Sequence, residues 1–353
     1  MDQLGSGFVE HTARHRTRRA WTGGLVWLVL PMALACRDLE DYDRYERATD
    51  GRAPAVEGVS VGRAEANARF VTTVAGLRNP ESVRYDSTKD VFFISNMSGY
   101  GSVKDGDGYI VRVSAGDPKQ STIFAQGGAK GVTLDAPKGM AIAGDTLWVA
   151  DIDKLRGFDR TSGAPIATVD FAPQGAILLN DVAVGPGELR VTDTGIRMDD
   201  KGNYVVGPSR VFAVGAGGAI RVVATDAVLK QPNGIAWDAA NHRWIVVSFD
   251  QFSWNVIALT ASDSARTLLS REKQGKLDGV EVLPSGGILY ASWADSSIHL
   301  LEGGRDRQVI REVISPADIG FDTRRGRVAI PLPTLGWVQL WALGDSARVA
   351  ATK

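Results

Sequence analysis

The chain has 353 residues, of which 44% are apolar, so it is long enough to bury a sizeable core. Its 40 basic and 41 acidic residues give a net charge of −1, which excludes the strongly basic surface typical of nucleic-acid-binding proteins. Forty glycines, nine tryptophans and the absence of a long amphipathic helical period favour a sheet-rich fold with many tight turns.

Residues 1–35 have the organisation of an export signal. Basic residues precede an apolar stretch at 21–35, which is short for a membrane span and contains a proline. Ala35 stands immediately before Cys36, the single cysteine of the chain. This order resembles a bacterial lipoprotein signal, which predicts export to the periplasm or cell envelope and a lipid anchor on Cys36. Cleavage by ordinary signal peptidase and an uncleaved N-terminal anchor are the alternatives.

Residues 36–67 are charged and contain few apolar side chains. Such a segment cannot bury enough surface to offset the entropy lost on ordering, so we interpret it as a flexible tether. The folded domain is predicted to occupy residues 68–353.

A short phrase occurs six times between residues 80 and 321. Each copy has a proline or leucine, a variable residue, a small or turn-forming residue, and then apolar residues. The copies are PESVRY (80–85), PKGMAI (137–142), LNDVAV (179–184), PNGIAW (232–237), LDGVEV (277–282) and PADIGF (316–321). A repeat of about 40–50 residues that contains strands in every unit is typical of a β-propeller.

Each phrase is followed by further strand-like segments, in which apolar residues alternate and Gly, Asp, Asn or Ser close the turns. Counting four strands per unit predicts an all-β fold: a six-bladed β-propeller with four-stranded blades around a central channel. The segment ARFVTTVA (68–75) precedes the first unit. We expect it to pair with blade six and close the ring. Another candidate for the outer strand of blade six is 348–352.

The variable residue of each phrase is the candidate site position. In chain order these residues are Glu81, Lys138, Asn180, Asn233, Asp278 and Ala317. Corresponding positions of the innermost strands meet around a propeller's channel, so four oxygen donors are expected to converge there: Glu81, Asn180, Asn233 and Asp278. Oxygen-only ligands favour Ca²⁺, with Mg²⁺ or Mn²⁺ next and Zn²⁺ still open. The alternative is that these residues only begin strands, as Asn and Asp often do.

Lys138 is at the variable position of the second phrase, so it is expected to face the same channel. Its ammonium is expected to meet a substrate oxygen, or to pair with a carboxylate such as Asp151. Residues at or just after the ends of the second strands should surround the mouth of the channel, together with the long loops 97–108 and 194–208. The predicted substrate-binding residues are Asn96, Asp151, Asp193, Asp250 and Trp293.

Several of these phrases are similar to the signatures of the gluconolactonase/regucalcin (senescence marker protein) family. LNDVAV, QPNGIAW and KLDGVEV resemble its three middle motifs, and PESVRY resembles its N-terminal glutamate motif. The resemblance covers residues 68–343. It implies a six-bladed propeller with a divalent ion, for which Glu81, Asn180, Asn233 and Asp278 would be the ligands. It also implies lactonase activity, with Asp278 as the base. Lys138 and the PADIGF unit look closer to a bacterial exported branch of that family.

Two functions of different classes follow. The first is a membrane-tethered, metal-dependent hydrolase of small esters, with sugar lactones as substrates and Asp278 and Lys138 as catalytic residues. The second is a non-catalytic envelope propeller whose ion is structural and whose surface binds a glycan or a protein. No Walker A or H-E-x-x-H string occurs, which argues against a nucleotide-loop enzyme and a zincin. The sequence predicts no nucleic-acid partner and is silent on oligomeric state.

Overall fold

The computed structural model describes residues 62–65, 68–99, 102–199, 201–225, 227–260, 262–272 and 274–344. These residues form 27 β-strands and three short 3₁₀ turns, with no α-helix among them. Within this part of the chain, no helix is long and apolar enough to cross a membrane. The predicted export signal, Cys36 and the candidate strand at 348–352 lie outside the described residues.

Two strands precede the first blade, and blades one and two follow in chain order. The leading strands are β1 (Arg63–Ala64) and β2 (Arg69–Val74). Blade one contains β3 (Pro80–Asp86), β4 (Val91–Asn96), β5 (Tyr109–Ser114) and β6 (Ser121–Gln126). Blade two contains β7 (Pro137–Ala143), β8 (Thr146–Asp151), β9 (Lys154–Asp159) and β10 (Pro165–Asp170).

The remaining four blades repeat this antiparallel order from the inner to the outer strand. Blade three contains β11 (Leu179–Gly185), β12 (Glu188–Asp193), β15 (Arg210–Val214) and β16 (Ile220–Ala224), with the hairpin β13 (Ile196–Met198) and β14 (Tyr204–Val206) inserted. Blade four contains β17 (Pro232–Asp238), β18 (Arg243–Ser248), β19 (Ser253–Leu259) and β20 (Ala265–Glu272). Blade five contains β21 (Leu277–Val282), β22 (Ile288–Ser292), β23 (Ser297–Glu302) and β24 (Arg305–Arg311). Blade six contains β25 (Gly320–Asp322), β26 (Arg327–Leu332) and β27 (Trp337–Ala342).

The predicted six-bladed propeller is therefore confirmed. The N-terminal strand β2 pairs with β27 and provides the outer strand of blade six, as expected for the segment at 68–75. The two-residue strand β1 lies within the segment interpreted as a tether and pairs with β24 at the outer edge of blade five.

Hydrophobic clusters fill the spaces between neighbouring blades. Six separate clusters of buried apolar residues correspond to the six blade–blade contacts. The core thus forms a ring around the channel. The inner strands of blades one to five contact one another in chain order, and β25 of blade six contacts β3 of blade one.

The inner strands share a distortion at the start of the repeated phrase. In blades one to five the pairing register between the inner and second strands shifts within the first few residues of the phrase. A bulge of this kind adds a residue to one strand and changes the direction of its side chain. It explains how the variable residue and the residue after it can both be buried near the axis.

Blade six departs from the predicted pattern. Its inner strand β25 covers only Gly320–Asp322, whereas the phrase predicted a strand over 316–321. The preceding residues pair with blade one instead, because Asp318 N donates to Glu81 O at 2.9 Å and Val83 N donates to Asp318 O at 3.1 Å. A Cβ atom on Gly320 would lie 2.3 Å from Val83 O, so this close approach requires glycine.

Candidate metal site in the channel

The five polar residues at the variable position are all buried. Glu81 is 4% exposed, Lys138 7%, Asn180 6%, Asn233 2% and Asp278 4%. They come from the inner strands of five successive blades. The sixth position is the buried Ala317, which offers no polar side chain. We call these five residues the upper ring.

Four buried side-chain oxygens of the upper ring have no hydrogen-bond partner. They are Glu81 Oε2, Asn180 Oδ1, Asn233 Oδ1 and Asp278 Oδ1, one from each predicted metal ligand. A buried polar atom without a partner costs roughly 1–3 kcal/mol, so four at one position of a repeat need an explanation. A hard cation would satisfy all four, because Ca²⁺ and Mg²⁺ bind carboxylate and amide oxygens.

The carboxylates of the upper ring interact electrostatically. Burial is the main cause that raises the pKa of Glu81 to about 7, and the nearby Lys138 ammonium partly offsets it. Burial also raises the pKa of Asp278 well above its usual value, and repulsion from Glu81 adds to this effect. A divalent cation between them would favour both ionised forms.

Lys138 pairs within the ring. Its Nζ donates to Glu81 Oε1 at 3.4 Å and lies 3.1 Å from Met97 Sδ. It does not pair with Asp151, which was one of the two expected partners. Asp151 instead binds the Arg156 guanidinium, with an Oδ2–Nε distance of 2.5 Å. Lys138 is thus the one cationic side chain of the upper ring.

Two of the five predicted substrate-binding residues support the backbone. Asp151 is fully buried and accepts hydrogen bonds from the amides of Asp135 and Ala136 as well as from Arg156. Asp193 does the same in blade three, where it binds Leu178 N at 2.9 Å and Arg210 Nη2 at 2.8 Å. All four carboxylate oxygens are engaged. This geometry supports a structural role for both residues in place of the predicted substrate contact.

The other three predicted residues have different surroundings. Asn96 is fully buried, with its amide nitrogen donating to Ile94 O and its Oδ1 without a partner. Asp250 is half-buried and accepts from Phe252 N, which closes a turn in its loop. Trp293 is half-buried and is close enough to lower the pKa of Asp278.

Aromatic residues form part of the wall near Asp278. Phe249 packs edge-on against Trp293, with ring centroids 5.2 Å apart. Lys276 Nζ lies 5.9 Å from the Trp293 ring centroid. The two long loops also touch each other, since Ser102 Oγ donates to Met198 O at 2.5 Å. Phe249 and the β13–β14 hairpin were not predicted, because a single aromatic residue and two three-residue strands leave little pattern in a sequence.

A second group of charges, two of them buried and two half-buried, follows the upper ring along the inner strands. It contains Arg84, Asp181, Glu281 and Asp318, together with Ser82, and we call it the lower cluster. Arg84 Nη1 binds Glu281 Oε1 at 2.7 Å, and Ser82 Oγ donates to Asp318 Oδ2 at 2.5 Å. The two oxygens of Asp181 accept from Val182 N and Ile235 N, each at 2.7 Å.

Glycines make room for the lower cluster. A Cβ atom on Gly139 would lie 2.1 Å from Asp181 Oδ1, and one on Gly279 would lie 2.3 Å from Ile319 N. This crowding explains why the third residue of the repeated phrase is small in most copies. In sequence, Asp181 and Asp318 resemble ordinary turn residues, so their burial could not be predicted.

The donor set of the upper ring carries two negative charges at most and fits a hard divalent cation. It offers two carboxylates and two amides, and no group of three or more His, Cys, Asp or Glu side chains at metal-binding spacing occurs among the described residues. None of the four proposed donors is a thiolate or an imidazole, which disfavours the softer transition metals.

Comparison with known proteins agrees with this architecture. The model of the SMP-30/gluconolactonase/LRE-like family matches residues 80–320, from the first residue of β3 to the first residue of β25. The chain belongs to this family. No curated protein sequence matches the chain.

Solved structures similar to this SMP-30/gluconolactonase-like propeller share its fold at low sequence identity. A luciferin-regenerating enzyme is 13% identical, with a TM-score of 0.59, and the match covers 78% of this chain and 95% of the enzyme. A candidate gluconolactonase is 18% identical, with a TM-score of 0.54 and coverage of 82% and 96%. A Bacteroides thetaiotaomicron protein of unknown function is 11% identical, with a TM-score of 0.57 and coverage of 79% and 73%.

Proposed function

We propose that this propeller is a divalent-cation-dependent hydrolase of small esters, with sugar lactones as its substrate class. The observation that carries the proposal is the set of four unpartnered buried oxygens, one on each of Glu81, Asn180, Asn233 and Asp278. Membership of a family whose description includes gluconolactonase supports the reaction class. Ca²⁺ is the proposed cation because all four donors are oxygens, with Mg²⁺, Mn²⁺ or Zn²⁺ as alternatives.

A bound divalent cation would supply Lewis-acid polarisation of the ester carbonyl and would stabilise the negative charge that develops on its oxygen. Residues of the protein would bind the substrate and transfer the proton of the attacking water. Asp278 accepts a proton from the attacking water as general base, a role that contributes about 10²–10⁴-fold to the rate. A bound cation would favour the ionised form of Asp278, which is the form that can accept a proton.

Lys138 is the proposed second catalytic residue. Its ammonium already lies within the ring at 3.4 Å from Glu81, where it can donate to a substrate oxygen that becomes negatively charged. Trp293 and Phe249 offer the substrate an apolar surface on the side of Asp278. Asn96 and Asp250 remain proposed substrate contacts.

The proposal is tested by measuring hydrolysis of a panel of lactones with purified protein, with Ca²⁺ or with a chelator. We expect turnover that requires the cation and falls by at least about 10²-fold in Asp278→Ala. Arg63→Met serves as a control, because Arg63 is exposed and lies on the outer edge of blade five. Turnover that survives both the chelator and Asp278→Ala would refute the mechanism.

Calcium binding without hydrolysis of any ester would favour the non-catalytic propeller with a structural ion. Export and a lipid on Cys36 are a separate proposal. It is tested by mass spectrometry of the mature N-terminus in wild type and Cys36→Ser, where the lipidated terminal peptide should be absent from the variant.

A further inference from the structure

Thr194 lies directly after β12 and connects two neighbouring strands of the channel. Its side chain is buried, with 3% of the residue exposed. The hydroxyl donates to Pro232 O at 3.0 Å, and Asn180 Nδ2 donates to the same hydroxyl at 3.1 Å. Pro232 immediately precedes Asn233, so one hydroxyl links the strands that carry two of the proposed ligands.

These bonds determine which end of the Asn180 amide faces the channel. A carbonyl oxygen can only accept, so the single hydroxyl hydrogen of Thr194 must point to Pro232. The hydroxyl can then only accept from Asn180, which requires the NH₂ end of the amide on that side. The Oδ1 end is consequently turned away from Thr194, and this oxygen is buried without a partner.

The neighbouring Thr192 reinforces the same arrangement through the backbone. Its hydroxyl donates to Asn233 O at 2.6 Å and receives the amide of Asp181 at 2.9 Å. The residue after Asn180 and the carbonyl of Asn233 are thus held by one side chain of β12. Because both backbones are held in this way, the Asn180 side chain can still rotate its amide group. The hydrogen bond to Thr194 opposes that rotation.

We propose that Thr194 is a positioning residue that presents Asn180 Oδ1, and not its NH₂ group, to the cation. The proposal rests on the proposed function, because it assumes that the upper ring binds a divalent cation. The amide oxygen carries a partial negative charge and attracts a cation. The NH₂ group carries a partial positive charge and repels it. Loss of a partner that orients a ligand typically reduces metal affinity by about 10–100-fold.

The test is isothermal titration of CaCl₂ into the purified full chain. Thr194→Val keeps the shape of the side chain and removes the acceptor, so we expect about 10–100-fold weaker binding. Thr194→Ser keeps the hydroxyl and should bind within about threefold of wild type. Thr122→Val, on the outer strand β6, is the matched control and should also bind like wild type.

A double-mutant cycle separates orientation from general damage. Asn180→Asp has an oxygen at both ends of the side-chain head group, so its orientation matters far less. In the Asn180→Asp background, Thr194→Val should therefore change the calcium affinity by less than about threefold. An equal loss of affinity in both backgrounds would overturn the proposal, because it would show a merely structural effect.

Two further outcomes keep the inference separate from the proposed function. If wild type does not bind calcium, or another divalent cation tested in the same way, then the proposed metal site fails. If wild type binds and Thr194→Val binds equally well, then the metal site stands and the role of Thr194 is refuted. Should Thr194→Val fail to fold, as judged by its melting curve in chelator, Thr194→Ala is used in the same cycle.

Discussion

The upper ring and the lower cluster both contain buried charges, yet their polar atoms are satisfied to different extents. In the lower cluster, Arg84 binds Glu281, and the Ser82 hydroxyl binds Asp318. In the upper ring, four oxygens at equivalent positions remain without partners. Buried charge therefore occurs in the lower cluster, which is structural, and also in the upper ring, which is the candidate functional site. The difference is one of number: the upper ring has four unpartnered oxygens at equivalent positions, whereas the lower cluster has one, Asp318 Oδ1.

The same distinction separates two kinds of aspartate in this chain. Asp151 of blade two and Asp278 of blade five are both buried acids. Asp151 has both oxygens engaged by backbone amides and Arg156, so it holds a loop in place. Asp278 has a free oxygen and a strongly raised pKa, and these are the properties expected of a ligand or a base.

The largest expected effect is on the lower cluster. Arg84→Met leaves Glu281, Asp318 and Asp181 without their shared cation, so we expect a loss of about 3–5 kcal/mol in the free energy of unfolding. Urea denaturation in chelator measures this loss. Arg63→Met, whose side chain is 67% exposed, should stay within about 0.5 kcal/mol of wild type. Similar losses in the two variants would show that the cluster does not depend on Arg84.

Calcium should act on the upper ring alone. A ligand that binds only the folded protein stabilises it by about 2.7 kcal/mol at a concentration of 100 times its Kd. We expect this gain in wild type and in Thr122→Val, and we expect none in Asp278→Ala. Differential scanning calorimetry with and without Ca²⁺ measures the shift. A full gain in Asp278→Ala would place the cation elsewhere.

The upper ring should also give the metal-free protein an unusual response to pH. Burial raises the pKa of Glu81 from 4.5 to about 7, so the folded state keeps a proton that the unfolded state has released. Stability in chelator should consequently fall as the pH rises from about 4.5 to about 7, by at most about 1.4 kcal/mol per pH unit for this group. Glu81→Gln should reduce the slope. An unchanged slope in that variant would assign the titration to another acid.

The smallest expected effect comes from a polar network in blade five. His299 binds Asp295 through Nε2 at 3.0 Å and Asp306 through Nδ1 at 3.1 Å, and it stacks on Tyr290. Burial opposes the charged imidazolium, but the two aspartates outweigh it and raise the pKa of His299 above 6.5. Arg271 and Tyr290 also bind Asp306.

Since the folded pKa of His299 is raised, its contribution to stability is complete below pH 6.5 and disappears as the pH rises through the folded value. Denaturation of wild type and His299→Gln between pH 6 and 9 measures this contribution, which should not exceed about 1.4 kcal/mol per pH unit. Titration of the imidazole C–H signal by NMR gives the pKa directly. A value at or below 6.5 would contradict the expectation.

Most of the fold could be predicted from the sequence because blade strands alternate apolar and polar residues over five or six positions. The pairing of the segment at 68–75 with blade six was predicted correctly because a strand-like segment that precedes the first unit can close the ring. The inner strand of blade six was predicted too long. Its first residues pair with blade one, and a non-local contact of this kind leaves no local pattern.

The candidate site was less predictable than the fold. The repeat identified Glu81, Asn180, Asn233 and Asp278, since equivalent positions stand out when units are aligned. It gave no indication that Asp193 would turn back to bind backbone amides, nor that Thr194 would orient Asn180. Both depend on how loops approach the strand ends, and Asp and Thr are common in turns for other reasons.

The strand β2 has a consequence for biosynthesis. Blade six is completed by residues 69–74, which are among the first of the propeller to be made, and their partners at 337–342 are among the last. The ring therefore cannot close until residues 337–342 have been made, and the edge of β2 lacks its partner strand until then. A nascent chain that stalls before blade six would expose this edge and become a substrate for chaperones or proteases.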